Sequence, residues 1–295
     1  MIKRTLVFSS PSVLSLKNAQ LVIAMKEHPD EKRTVPIEDI GVVMIENPMV
    51  SVTIPLLNAL SDDNVAVVIC DHRGMPNAML QNLETNNCQG EVLRTQLAVG
   101  EVMRKQLWKQ LVEAKIHNQA RLLTKLGYNG DVLKPYYSNV KSGDADNREG
   151  IAARIYWSEL FGSGFVRDRN LPGANTLLNY GYSVLRAAVA RALMSSGLLP
   201  ALGLFHHNRS NAFPLADDMM EPFRPFVDEV VYDLVLHGRE GLTQETKGAL
   251  LQVLCSDTCY AKTTRPLSIG LSMTMASLVK CYAKEQTLLS LPVLR

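Results

Sequence analysis

EVLRTQLAVGEVMRKQLWKQLVEAKIHNQARLLTKLG, residues 91–127, marks the point where the chain changes character. Leu93, Leu97, Leu107, Leu111 and Ala114 follow a helical period, and Gly127 stops the run, so one long amphipathic helix is expected to reach Leu126. Upstream the pattern is different. Thr5–Phe8, Leu21–Ile23, Gly41–Ile45 and Val65–Ile69 are short apolar, β-branched clusters separated by turn residues at 18–19, 28–30 and 71–74, which is how strands read. One short helix is expected over 54–60, with Pro55 in its first turn. Downstream the period stays helical. A second helix follows the polar run SGDADN (142–147) and ends at Gly162; a third is capped by Asn175 and ends at Gly197; a fourth lies within 217–236 and a fifth spans about 267–284. The expected fold is α+β: a small N-terminal β domain over residues 1–85, then a larger all-α domain over residues 86–295.

The composition suits a globular chain of two domains: 295 residues, 46% apolar and 20% charged. The longest uncharged stretches, 47–61, 192–205 and 266–279, fall short of the roughly 18 to 20 residues a bilayer needs. The first residues lack the apolar core of an export signal, which points to a cytoplasmic protein with no membrane partner. Cys70, Cys88, Cys255, Cys259 and Cys281 are then expected as free thiols. A formal net charge of +2 is uninformative, but residues 101–141 hold eight cations against three anions. Within that segment His117, Arg121 and Lys125 recur every four residues, a stripe that reads either as a solvated helix face or as a surface for phosphates.

Three places pair metal-ligand residue types with element ends or loops. Glu149 lies in the first helical turn of NREGIAAR, where an acid commonly complements the helix dipole, although its apolar neighbours Ala152, Ala153 and Tyr156 point it inward. His206 and His207 follow a helix stop in GLFHHN, and extended chain turns adjacent histidines to opposite sides, so they do not bind one ion together. Asp218 and Glu221 lie one helical turn apart in DDMMEPFRP, where Pro222 and Pro225 restrict how the turn hydrogen-bonds. Each alone is more simply a cap or a solvated group. Together, two carboxylates and an imidazole make an oxygen and nitrogen set suited to Mg²⁺ or Mn²⁺ with open positions, unlike the thiolate cages of structural zinc. Arg148, Arg209 and Arg224 each stand within three residues of one of these groups, which favours phosphate chemistry.

These three segments resemble the signature motifs of the CRISPR-associated spacer-acquisition integrases, the "Cas one" family, and the length, NREG and HHN look most like the type II version. IKRTLVFSS, SLKNAQLVI, VPIEDIGVVMIE, NVAVVICDHRGMP and NTLLNYGYSVLRAAVARAL extend the likeness over most of the chain. The resemblance implies an N-terminal β domain that pairs two subunits into a homodimer, and a helical domain holding one divalent ion, Mg²⁺ or Mn²⁺. By motif position Glu149, His206 and Glu221 would be its ligands and the catalytic residues, with Asp218 an accessory acid and His207 a neighbour. Glu221 stands where many relatives carry Asp. The implied reaction joins the 3′-hydroxyl of protospacer DNA to a phosphodiester at the edge of the CRISPR repeat by transesterification, or hydrolyses DNA when water attacks. Arg224, Arg148, Arg209, Arg121 and Lys125 are the expected DNA contacts. Implied partners are double-stranded DNA, a small ferredoxin-like adaptation protein ("Cas two"), and the effector nuclease and accessory DNA-end protein of type II systems. Two rivals use the same residues: a metal-dependent phosphohydrolase of a small substrate, and a DNA-binding scaffold without catalysis.

Overall fold

The structure is a computed structural model that describes residues 3–72, 74–80, 82, 86–206, 208–209, 211–261 and 263–295. The chain divides into two compact units, Met1–Asn87 and Cys88–Arg295.

The first unit is built from two four-stranded sheets. β1 (Arg4–Phe8), β5 (Ile40–Ile45), β7 (Ala66–Cys70) and β8 (Pro76–Leu80) form one, in the order β1-β5-β7-β8. Its first three strands are parallel and β8 is antiparallel to β7. β2 (Ser12–Lys17), β3 (Gln20–Met25), β4 (Lys32–Pro36) and β6 (Ser51–Val52) form the other, in the order β4-β3-β2-β6. Ile40 to Met44 are all buried, as expected of a central strand covered on both faces. α1 (Ile54–Asp62) buries Leu56 and Leu60 in a core shared with Leu14, Leu21, Ile40, Val43 and Val67. The turn at Asn18 and Ala19 has positive φ at both residues, 51° and 55°, the geometry that suits a two-residue hairpin.

The second unit is mostly helical. The long helix read from residues 93–126 is two: α2 (Gln89–Leu97) and α3 (Glu101–Lys125), separated where Gly100 takes extended backbone (ψ 162°) as the N-cap of α3. After the single turn α4 (Lys134–Tyr137) come α5 (Arg148–Phe161) and α6 (Ala174–Ser195). Asn175 is not the cap of α6: Gly173 is, and the buried Asn175 amide instead accepts from Asp168 N and donates to Val166 O. The fourth expected helix is also divided, into α7 (Pro214–Met219), a 3₁₀ turn (Glu221–Phe223) and α8 (Arg224–Leu236), because Pro222 and Pro225 interrupt the hydrogen-bond ladder. α9 (Gln244–Gln252) and α10 (Leu267–Tyr282) complete the helices. Between them lies a departure from the all-α expectation, an antiparallel hairpin of β9 (Asp257–Tyr260) and β10 (Thr263–Pro266). Cys259 therefore sits in a strand and Cys255 in a 3₁₀ turn, and none of the five cysteines forms a disulfide.

Helix α6 is the axis of this unit. Leu177, Leu178, Leu185, Val189 and Leu193 on it are at most 1% exposed, and burying each contributes roughly 1.5–3 kcal/mol. Gly181 lets α6 approach α8, since a Cβ there would lie 2.5 Å from Val227 Cγ1. α3 packs on α5 and α8, so its buried face looks toward the starts of both. No helix among the described residues is long and apolar enough to cross a membrane.

Candidate active site

The start of α5 is fixed by the polar run before it. The buried Asp144 carboxylate accepts from Arg148 N at 2.7 Å and Glu149 N at 3.1 Å, and Asn147, itself at φ 51°, accepts from Gly150 N at 3.3 Å. The free amides of the first turn are thus satisfied from 144 and 147, which holds Glu149 at the second helical position, facing α3. Glu221 occupies the 3₁₀ turn ahead of α8 and its side chain is only 5% exposed.

What joins these two acids is Lys115, in the middle of α3. Its ammonium contacts Glu149 Oε1 and lies 2.5 Å from Glu221 Oε2. The other oxygen of Glu221 stands 2.9 Å from Arg224 Nε, and the Arg224 guanidinium lies over the Tyr182 ring, 4.5 Å from its centre. Burial pushes the Glu221 carboxyl upward, but Arg224 and Lys115 outweigh it and hold it at about 2. Burial likewise lowers Lys115, and the charges of Glu221 and Glu149 reverse that, so the ammonium stays charged. Glu221 Oε2 is buried and, among the described residues, is met by the Lys115 ammonium alone, so it keeps acceptor capacity for a further contact.

His206 is presented by Asp218. That carboxylate is 0% exposed and accepts from Leu204 N (2.6 Å), Phe205 N (3.1 Å) and His206 N (3.3 Å), while its Oδ1 lies 2.6 Å from His206 Nδ1. Nδ1 is thereby the protonated nitrogen and Nε2 the one with a free lone pair. The Asp218 hydrogen bond raises the His206 pKa against the effect of burial, with smaller contributions from Asp218 and Glu221 charge. Trp108 and Phe205 stack in parallel at 4.5 Å and meet the imidazole edge-on, each at 5.7 Å, which fixes its plane. Gly203 is required by this turn, since a Cβ there would fall 2.6 Å from His206 O. Physical crowding therefore underlies the Gly-x-x-His spacing. A pocket of about 320 Å³ opens beside His206, lined by Arg104, Asn208, Asn211 and Tyr282 among others.

The two neighbouring acids of DDMMEPF diverge. Asp217 forms a bidentate pair with Arg186, 2.7 and 3.1 Å, and accepts from Asn211 at 2.6 Å. Thus Glu149 and Glu221 come together through Lys115 and His206 is held on Asp218, yet among the described residues no three His, Cys, Asp or Glu side chains converge closely enough to hold an ion as they stand. His207 lies outside the described residues. Of the cations expected to meet DNA, Arg209 is exposed. Arg148 stands 3.7 Å from Asp146 and lies over the Tyr136 ring. Arg121 donates through Nε to Leu294 O, and Lys125 pairs with Glu229 at 2.6 Å. Trp108 and Arg186 escaped the sequence reading, and Lys115 entered it only as one of the cations of 101–141. For Lys115 a signal existed: it stands four residues after Leu111 and seven before Leu122, on the apolar face of α3, where a charge needs a buried counter-charge.

Residues 5–254 match the family described as CRISPR associated protein Cas1. The chain is 41% identical over 255 residues to a CRISPR-associated endonuclease Cas1 of Neisseria meningitidis serogroup C (strain 8013), covering 85% of this chain and 83% of that one. Its fold is that of a casposase bound to integration product, with a TM-score of 0.78 at 22% identity over 98% of this chain and 93% of that one. It is also that of part of a chain in a Cas6-RT-Cas1–Cas2 complex, with a TM-score of 0.73 at 21% identity over 97% of this chain and 35% of that one. The chain is an α+β nucleic-acid-processing protein of the CRISPR systems, and it belongs to the Cas1 family. Membership implies dependence on a divalent metal ion.

Proposed function

We propose that this chain joins the 3′-hydroxyl ends of captured duplex DNA to phosphodiesters at the edges of a CRISPR repeat, using Glu149, His206 and Glu221, and that the same site cuts DNA when water replaces the hydroxyl. As a Cas1 protein the chain is a CRISPR-associated nuclease and integrase. The observation that supports this use of the site is the meeting of Glu149 and Glu221, from separate segments, on one buried ammonium, with His206 offered by Asp218 alongside.

The residues fit a divalent ion. Glu221 Oε2 is a buried oxygen with spare acceptor capacity, and His206 keeps Nε2 free, so the donor set is two carboxylate oxygens and one imidazole nitrogen. Mg²⁺ or Mn²⁺ is the ion proposed; when bound it would favour the ionised form of an attacking hydroxyl and offset charge on the phosphoryl group. Asp218 holds the imidazole in the ligating tautomer. Arg224, braced on Tyr182, keeps Glu221 ionised. Arg148 and Arg209 are proposed to meet phosphates beside the site; Lys125, Arg121 and Arg224 would have to share their present partners with them. The first unit is proposed to pair two copies into a homodimer, and a small Cas2-type protein, named in the Cas6-RT-Cas1–Cas2 complex, to bridge two such pairs. The effector nuclease and accessory DNA-end protein of type II systems are proposed as further partners.

The test is joining of a short duplex with free 3′-hydroxyls to a repeat-bearing plasmid, with the small partner and Mn²⁺ or Mg²⁺. Glu149→Ala, His206→Ala and Glu221→Ala should each abolish joining while DNA binding survives. Normal joining by the three variants refutes the assignment. DNA affinity that falls steeply with salt separates an integrase from a small-substrate hydrolase.

A further inference from the structure

We propose that Lys115 is the site's internal counter-cation: it occupies the position between Glu149 and Glu221 that a divalent ion would share, holds the two carboxylates assembled, and yields Glu149 when the ion enters. The inference rests on the ligand assignment above and concerns a residue that assignment does not include.

Three observations carry it. First, one ammonium meets both carboxylates, so an oxygen of each already lies within contact distance of a single cation. Two like charges this close, one of them 5% exposed, would repel in a low-dielectric setting without a cation between them. Second, Lys115 is committed to this place. Its side chain is 8% exposed and its neighbours on α3, Leu111, Val112 and Ile116, are 0% exposed, so the ammonium cannot reach water without leaving the packed face. Third, the two carboxylates are held unequally. Glu221 keeps Arg224 on its other oxygen and is 5% exposed, whereas Glu149 is 29% exposed at a helix start. Glu149 is thus the partner that can turn toward an arriving ion while Lys115 stays on Glu221.

A positive group in contact with two proposed ligands both organises them and opposes a second cation. Replacing it by an apolar side chain of similar length separates these effects, which a purely structural lysine would not do. Lys115→Met should lower the melting temperature in EDTA by roughly 5 °C or more, because two carboxylates lose a buried partner. It should also tighten Mn²⁺ binding measured by calorimetry by about ten- to hundred-fold, the range over which groups behind metal ligands act. Saturating Mn²⁺ should then raise its melting temperature by more than it raises that of the parent. Lys115→Met/Glu149→Gln, which removes one charge of each sign, should melt in EDTA closer to the parent; if Lys115→Met alone does not fold, a folded double variant supports the charge balance and an unfolded one overturns it. Unchanged or weaker Mn²⁺ affinity in Lys115→Met, or a double variant no more stable than the single, overturns the counter-cation role. A parent protein whose Mn²⁺ binding is unaffected by Glu221→Ala overturns the ligand assignment itself, so the two failures are distinguishable.

Discussion

Replacing Asp218 by asparagine tests how the imidazole is presented. The carboxylate takes four hydrogen bonds within the 204–206 turn, from Leu204 N, Phe205 N, His206 N and His206 Nδ1. An amide offers one oxygen. If that oxygen stays on Leu204 N and Phe205 N, the NH₂ group faces His206 N, which loses its acceptor, and His206 Nδ1, which can bond to it only by giving up its proton. The imidazole proton then moves to Nε2, the nitrogen proposed to meet the ion. Losing charge-assisted hydrogen bonds at a site 0% exposed should cost about 2–4 kcal/mol. For a unit of this size that is a fall of roughly 5–10 °C in melting temperature. The tautomer change should weaken Mn²⁺ binding at least about tenfold. Asp217→Asn is the control: its carboxylate bonds to Arg186 and Asn211 and not to the imidazole, so it should lose some stability and keep its Mn²⁺ affinity. Calorimetric titration and thermal melts of both variants supply the test. Asp218→Asn binding Mn²⁺ within threefold of the parent, or melting with Asp217→Asn, would refute the claim that Asp218 sets the ligating nitrogen.

Gly203→Ala should destabilise by roughly 1–3 kcal/mol and reduce joining, because the new Cβ meets His206 O at 2.6 Å and Asp218 Oδ2 at 3.1 Å; denaturant melts and the joining assay check it. Asp228 gives a pH test. It is fully buried, and burial raises its carboxyl to about 6, although Tyr182 and Tyr156 donate to it. Its folded pKa exceeds the unfolded value, so its contribution is complete below about pH 4 and is lost as pH rises through 6, a change of about 3 kcal/mol. The stability of Asp228→Asn relative to the parent should therefore increase by about that amount between pH 4 and 7 in urea titrations, and a flat difference would contradict it.

Much of the fold was legible because local signals agreed with tertiary ones. Ile40–Ile45 and Ala66–Cys70 are apolar, β-branched runs that became adjacent parallel strands. SGDADN announced the start of α5, and Asp144 and Asn147 within it do the capping. The misses share a cause. Leucine periodicity passes through Ala98-Val99-Gly100 without a visible fault, so the break between α2 and α3 is decided by packing that composition does not record. The β9–β10 hairpin is four residues a side, polar in β10, and turns through Ala261 at φ 43° with no Asn-Gly or Asp-Gly to signal it. Lys115 was counted among the cations of 101–141, and a count along the chain does not separate a lysine on the buried face from one in water.

Two carboxylates seven residues apart solve burial in opposite ways. Glu221 remains ionised at about 2 because cations stand on both of its oxygens. Asp228 is driven up to about 6 and is served by two phenols. The two are linked, since Tyr182 donates to Asp228 and its ring supports Arg224, which holds Glu221. From there Lys115 continues to Glu149, so one polar chain runs from α8 through α6 and α3 to the start of α5. The links are polar or ionic and mostly buried, which ties the spacing of four helices to the placement of two acids more tightly than apolar packing alone would. A segment such as DDMMEPFRP therefore carries chemistry only in the company of Tyr182 and Lys115, and the motif and its distant supports must be read together.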